Sequence, residues 1–328
     1  MSTTQEFRLG QSRFDQTTFA GRYQHFLDIL DPLTMIVGAA EVNRAREAIE
    51  RYKLASAVER KAMNQEDLWA HQRVLQTATH PDTGAILHPL LRFSSFMPTN
   101  IFIATYMMLP STVMSPVRSM GIHWFNQSYN CVVNFANRNA SSDVSTADIL
   151  GTYFVACGLS LSIALATAKA MERVPRGSMT AEIVRILGPY VAVSLAGSAN
   201  VALMRKAEWL YAGVTVYDEE GGSHGQSLAA GRVGIKECAV TRWSWNLAVM
   251  IAPPIIMLPI TRRGLSPLQT RVAEVAVIAM GLTFGVPAAI AIYPQREQVA
   301  TVDLEPQFRN LKTKSGKPVE SLFFNKGI

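Results

Sequence analysis

Charged residues are missing from six long stretches of the chain. Each stretch has 19 or more residues without Asp, Glu, Lys or Arg; they are 93–117, 119–137, 149–168, 186–204, 243–261 and 275–295. Charged residues make up only 17% of the 328 residues, against about 25% in soluble proteins. About 20 apolar residues span the ~30 Å hydrocarbon layer of a bilayer. The sequence therefore predicts an all-α integral membrane protein and excludes disordered, collagen-like and disulfide-stapled chains.

Five of these stretches are apolar enough to be predicted as transmembrane helices. The predicted spans are 93–114, 149–169, 186–204, 243–261 and 273–293. They divide the chain into a soluble helical N-terminal region (1–92), a transmembrane region (93–293) and a polar C-terminal tail (294–328). The first region holds 11 basic and 11 acidic residues, so no basic arm for nucleic acid is present.

The remaining stretch, 119–137, is uncharged but too polar to face lipid. Asn126, Asn130 and Asn134 recur every four residues and fall on one stripe of a helix. We interpret the stretch as an amphipathic helix that lies at the interface or lines an aqueous cavity, without crossing. Amides can replace water around both an ammonium and a carboxylate, so this stripe is a candidate substrate pathway. Equally, the amides could cap loops and bond neighbouring backbone.

Asn100 and Asn200 are two further amides inside predicted spans, and each is a weaker candidate for the pathway, since buried amides often hold helices together.

Prolines mark the fourth span as unusual. Pro253, Pro254 and Pro259 remove backbone donors, which predicts a kinked or broken helix. Such a break is tolerated at membrane depth where protein or a wet cavity satisfies the backbone.

Five crossings would place the chain ends on opposite sides of the membrane. Loops 170–185 and 262–272, assigned to the N-terminal side, are rich in arginine. The positive-inside rule then places the N-terminus on the cytosol-like side, which is the matrix in a mitochondrion.

Metal and catalytic chemistry have little support. Three distant cysteines form no CxxC pair, and the spacing of His80, Asp82 and His88 does not suit a metal site. The glycine-rich stretch 221–225 lacks a phosphate-binding signature and is expected to be a flexible connector. No cofactor and no enzymatic activity are predicted, because no acid–base pair lies in any span.

Three motifs resemble those of the sideroflexin family. One runs from Phe14 to Phe19 (FDQTTF), one is the HPDTG turn, and one begins at Trp124 as WFNQSYN and continues to an NRN triplet. Besides the asparagine stripe, the second and third motifs contain His80, Pro81, Asp82, Thr83, Gly84, Gln127, Ser128, Tyr129, Asn137, Arg138 and Asn139.

This resemblance implies a five-span carrier of the mitochondrial inner membrane that has no cleaved presequence. The implied activity is secondary transport of a neutral amino acid, with serine for one-carbon metabolism as the leading substrate. The alternative is a membrane scaffold that supports iron–sulfur or haem metabolism without transport. The expected partners are the amino acid, the lipid bilayer and further subunits of a homo- or hetero-oligomer.

Overall fold

The computed structural model describes residues 6–80, 83–136, 145–175 and 177–327, with the backbone alone for Asn134, Phe135 and Thr146. Four helices form the N-terminal region: α1 (Phe19–Ile29), α2 (Ala39–Leu54), α3 (Ala57–Ala62) and α4 (Gln65–Ala78). Ser56 and Glu59 form a capping box that starts α3, and Asn64 caps α4. Phe7 packs edge-on against Tyr52 and Trp69, each with a ring-centroid distance of 4.8 Å. The predicted helical N-terminal region is confirmed.

Within the described residues, nine further α-helices follow and form the helix bundle. They are α5 (Phe96–Met108), α6 (Pro110–Val113), α7 (Pro116–Ala136), α8 (Thr146–Arg173), α9 (Met179–Met204), α10 (Leu228–Asn246), α11 (Ala252–Thr261), α12 (Pro267–Met280) and α13 (Val286–Ile290). Two π-helical turns, Leu247–Ile251 and Gly281–Gly285, join α10 to α11 and α12 to α13.

Four continuous helical segments in the described residues are long and apolar enough to cross a membrane. They are Ala147–Arg173, Met179–Met204, Leu228–Thr261 and Pro267–Ile290. These segments confirm four of the predicted spans and the prediction of an α-helical integral membrane protein with about five. Small residues let the helices approach closely, since Ala192 and Ala196 on α9 are fully buried.

The first predicted span is one arm of a helical hairpin. α5 has 13 residues and is therefore about 20 Å long, too short to cross the bilayer alone. After α6 the chain returns as α7, which runs antiparallel to α8. His123 Nδ1 lies 2.9 Å from Ser160 Oγ, and five residues later Ser128 Oγ lies 3.0 Å from Tyr153 OH. The asparagine-rich helix thus packs inside the bundle and does not lie flat on its surface.

Both ends of the described chain lie at the same end of the bundle. Arg22 of α1 donates from Nε to Ala291 O, at 2.8 Å, where α13 ends and the C-terminal segment begins. This corrects the expectation of ends on opposite sides, because residues 93–136 enter and return as a hairpin. The loops around 174 and 264 lie at the other end, so the arginine count no longer places the N-terminus on the matrix side.

A small antiparallel sheet caps the end of the bundle that carries the chain ends. Its strands are β1 (Val214–Tyr217), β2 (Ser223–Ser227), β3 (Arg296–Ala300) and β4 (Ser321–Asn325), in the order β2-β1-β4-β3. The sequence analysis did not anticipate it. The glycine-rich stretch is part of the β1–β2 hairpin, and is not a flexible connector. Leu322 and Phe324 bury the sheet's inner face against the start of α10.

Candidate functional site

A small polar cavity lies in the middle of the helix bundle. Its volume is about 50 Å³ for a water-sized probe, room for several water molecules or one small polar solute. Its lining comes from α5, α7, α9, α10, α13 and both π-helical turns. The polar residues of the lining are Asn100, Asn126, Asn130, Arg242 and Asn246, and Trp245 lies among them.

The amides of the cavity are partly bonded to protein and partly free. Asn100 Nδ2 donates to Phe96 O at 2.8 Å, Asn130 Nδ2 to Asn126 Oδ1 at 3.3 Å, and Asn246 Nδ2 to Ser194 Oγ at 3.1 Å. The Oδ1 atoms of these three amides are therefore the atoms that can accept a bond from a ligand. Asn126 Nδ2 is buried and finds no acceptor among the described residues. A buried donor without a partner costs free energy, which a ligand oxygen would recover.

Arg242 gives the cavity its charge. Its guanidinium lies over the ring of Trp245, with Cζ 4.3 Å from the ring centroid. In the part of the chain that is described, no carboxylate lies within 4.0 Å of it and no hydrogen bond engages it. Gly197 on α9 lies beside its stem, and a Cβ there would be in ordinary van der Waals contact with Arg242 Cδ, at 3.8 Å. A guanidinium offers five donors in a fork that matches a carboxylate, so Arg242 gives the cavity a group suited to binding a carboxylate.

The two π-helical turns shape the cavity wall opposite the amides. The prolines of the fourth span do not break it; instead Ala252 N bonds Leu247 O, five residues back, just before Pro253 and Pro254. Since these prolines carry no N–H, the carbonyls of Val249 and Met250 receive no helical bond from them. Pro259 lies inside α11. The span is therefore a continuous helix with a local change of pitch, and it is not broken at the prolines.

The turns pack on each other through glycine. A Cβ on Gly281 would overlap the carbonyl oxygen of Ala248, and a Cβ on Gly285 would overlap the Ala248 side chain. Val249, Met250 and Leu282, which line the cavity, are held in place by this contact. π-helical turns of this kind occur often at functional sites.

A larger groove of about 540 Å³ lies near the end of the bundle away from the sheet, between α5, α9, α11 and α12. Its walls are mostly apolar. Its charged groups pair with each other on their own helices, Arg185 with Glu182 and Arg271 with Glu274. Because its charges are satisfied, the groove fits a polar substrate less well than the small cavity does.

The structure brings together only some of the predicted pathway residues. Asn100, Asn126 and Asn130 line the cavity, whereas Asn200 is buried on α9 outside the lining. The backbone of Asn134 belongs to α7, and its side chain lies outside the described residues. Sequence reasoning missed Arg242 and Asn246. Arg242 directly precedes the fifth uncharged stretch, which is the fourth predicted span, so the sequence alone places it at the boundary of that span.

The family motifs hold the fold around the cavity. Tyr129 OH lies 3.1 Å from Ser95 Oγ and ties α7 to the start of α5, while Gln127 is buried. In the HPDTG turn, His80 O accepts from Gly84 N, Thr83 Oγ1 accepts from Ala85 N, and Arg46 bonds Gly84 O. Gly84 has a φ of 66°, which favours glycine. Pro81, Asp82, Asn137, Arg138 and Asn139 lie outside the described residues.

Among the described residues no group of three or more His, Cys, Asp or Glu side chains is arranged to hold a metal ion. Arg242 and the amides give the cavity groups that can bind a carboxylate and other hydrogen-bonding groups.

Comparison with known proteins gives a consistent family. The sideroflexin family model matches residues 8–328. A sideroflexin of Dictyostelium discoideum is 33% identical, over 97% of this chain and 96% of that protein. Human Sideroflexin-5 is 31% identical over 98% and 93%, and Sideroflexin FSF1 of Saccharomyces cerevisiae 32% over 98% and 97%. No solved structure matches the chain. The chain belongs to the sideroflexin family of multi-pass membrane proteins.

Proposed function

We propose that this protein is a secondary carrier that moves a small neutral amino acid, with serine as the leading candidate, across the mitochondrial inner membrane. Membership of the sideroflexin family supports a carrier-type role in a membrane. The observation that carries the proposal is Arg242, a cation with no ion-pair partner in the described chain, which lines the same cavity as the unpaired donor Asn126 Nδ2.

The cavity suits a zwitterion. Arg242 and Asn126 Nδ2 would bind the substrate carboxylate, and the Oδ1 atoms of Asn100, Asn130 and Asn246 would accept from its ammonium. The carbonyls of Val249 and Met250, released from helical bonding by the prolines, are further acceptors. A serine hydroxyl would bond one of these Oδ1 atoms, each of which has two lone pairs.

The same features argue against other substrates. A transition-metal cation such as iron favours anionic or imidazole ligands, and the part of the cavity lining that the structure describes contains no Asp, Glu, His or Cys. A tricarboxylate would bury three negative charges against one arginine, which is unfavourable in a low-dielectric site. The small volume favours serine, glycine or alanine over bulky amino acids.

The orientation follows from the arginine-rich loops. Arg262 and Arg263 lie at the end of the bundle away from α1 and the sheet. With these loops on the matrix side, as the positive-inside rule favours, residues 6–92 and the sheet would face the intermembrane space. Protease protection of tags at both ends tests this, since both tags should be cleaved when the outer membrane is opened.

The decisive test is uptake of labelled serine into liposomes that contain only the purified protein. Arg242→Gln should weaken apparent affinity about ten- to hundredfold, because a hydrogen bond to a charged group is worth about 1.5–3 kcal/mol. Arg232→Gln is the matched control, since Arg232 is exposed on the same helix. Unlabelled glycine and alanine should compete, whereas citrate and ferrous iron should not.

The scaffold alternative gives a different result. A well-folded wild-type protein that takes up no amino acid in this assay would remove the carrier proposal. Equal uptake by wild type and Arg242→Gln would keep transport but remove this cavity as its site.

A further inference from the structure

Two carboxyl groups meet at the junction between the helix bundle and the sheet. Glu237 on α10 and Glu297 on β3 lie within hydrogen-bonding reach of each other. The Oε2 atom of each is buried and has no donor among the described residues. Two ionised carboxylates are both acceptors and cannot bond to each other, so a proton must lie between them to satisfy both.

Lys326 completes this cluster. Its side chain is 1% exposed, and its ammonium lies 5.7 Å from the centre of the Tyr293 ring. It acts electrostatically on both Glu237 and Glu297, but no carboxylate lies within ion-pair distance of it in the described chain. Two carboxylates and one ammonium carry a net charge of −1, and a single proton brings the buried cluster to neutrality. Burying a net charge is costly, so neutrality is favoured.

Other charged groups act on the pair only from a distance. Arg22 of α1 affects Glu297 and Lys236 of α10 affects Glu237. Arg205, which follows α9, affects Lys326 but is paired with Glu208 at 2.6 Å. These cations favour ionisation to some extent, yet none donates to the two facing oxygens. Burial nevertheless raises the pKa of Glu297 above its ordinary value.

The cluster connects four parts of the chain close to the cavity. Glu237 is five residues from Arg242 on α10, about 7.5 Å along the helix axis. Glu297 belongs to the strand that follows α13, and Lys326 O accepts from Arg205 Nη2 at 2.7 Å. A change of charge in this cluster would therefore weaken the contact between the sheet and α10, the helix that carries Arg242 into the cavity.

We propose that Glu237 and Glu297 form a proton-binding site that holds one proton between them beside Lys326, and that this proton is the coupling ion of transport. The coupling part rests on the proposed carrier function, whereas the proton site does not.

Infrared spectroscopy of the full-length protein in liposomes tests the site without reference to transport. At neutral pH the wild type should show a protonated-carboxyl band that is lost in Glu237→Gln and in Glu297→Gln. The wild-type melting temperature should fall as pH rises above the ordinary glutamate pKa, since the folded state binds the extra proton. In both variants the glutamine can still donate a hydrogen bond to the remaining glutamate. Their melting temperatures should therefore not decrease over this pH range. Glu320→Gln, an exposed change of the same charge, should behave as wild type.

Absence of the band in wild type would overturn the proton site. A melting temperature that depends on sodium instead of pH, with no band, would replace the proton by a metal cation and also overturn it. For coupling, an inward proton gradient should raise serine uptake several-fold in wild type and not in Glu297→Gln. Serine uptake that ignores the gradient would overturn coupling alone, and absence of any uptake with the band present would count against the carrier proposal alone.

Discussion

Arg92 in the N-terminal region and Arg242 in the membrane bundle have opposite surroundings, and Arg92 is buried whereas Arg242 is half-buried. Arg92 is 2% exposed and donates to the carbonyls of Leu87, Thr34, Met35 and Val37, at 2.8 to 3.2 Å. Arg242 has only the face of Trp245 among the described residues. A buried cation that donates to several backbone carbonyls stabilises the fold. One whose donors remain free is held by the surrounding fold and is available to a ligand.

The largest effect is expected from removing the satisfied arginine. Arg92→Met leaves four backbone carbonyls without their donor, at a cost of more than about 3 kcal/mol, since each bond to a charged group contributes about 1.5–3 kcal/mol. Thermal unfolding of the purified protein should show a large loss of stability. Arg44→Met, an exposed change on α2, is the control. If Arg92→Met unfolded at the same temperature as wild type, the bonds from Arg92 to the carbonyls would not stabilise the fold, and the contrast with Arg242 would fail.

The second largest effect is expected from disturbing the contact between the two π-helical turns that line the cavity. Gly285→Leu forces a side chain into Ala248, and overpacking of this kind costs about 1–3 kcal/mol. The variant should melt lower and lose transport together. Gly158→Leu is the matched control, because a Cβ on that glycine of α8 would meet nothing within 4 Å. Normal melting of Gly285→Leu would remove the packing role of the π-helical turns.

Asn126 should separate binding from stability. Asn126→Leu deletes a buried donor that has no partner, together with the long bond of 3.3 Å that Asn126 Oδ1 accepts from Asn130 Nδ2, so the melting temperature should change little. Apparent affinity for serine should fall about tenfold or more, since one charge-assisted bond is lost. Asn200→Leu should do the reverse, because Asn200 lies outside the cavity lining and has an interaction partner. If both variants lost stability alike, the amides would be structural and the asparagine stripe would not be a pathway.

This contrast also explains what the sequence could predict. Periodic amides and uncharged stretches are local patterns, so the asparagine-rich helix and the four continuous spans could be found from them. Arg242 could not, because its significance depends on Trp245, Gly197 and the amides that surround it in space. The sheet was missed because its strands have only four or five residues and pair segments about 100 residues apart. The hairpin of α5 and α7 resembles a span and a surface helix when each is considered alone.

The smallest predicted effect concerns a satisfied charge in the sheet. Asp218 accepts from His224 Nε2 at 2.8 Å and from Gly222 N and Glu220 N at 2.7 and 2.9 Å. The hydrogen bond from His224, followed by those backbone bonds, lowers the pKa of Asp218. A carboxyl group with a lowered pKa stabilises the fold above its ordinary pKa, and this contribution is lost as pH falls through the folded-state value. Amide hydrogen exchange in residues 214–227 should therefore accelerate in acid beyond the intrinsic change. Asp218→Asn should show fast exchange at every pH, and Glu219→Gln, an exposed neighbour in the same turn, should show neither effect. Slow exchange in Asp218→Asn would mean that the hydrogen bonds between β1 and β2 hold the hairpin without Asp218. The contrast between satisfied and available charges would then not extend from the two arginines to this carboxylate.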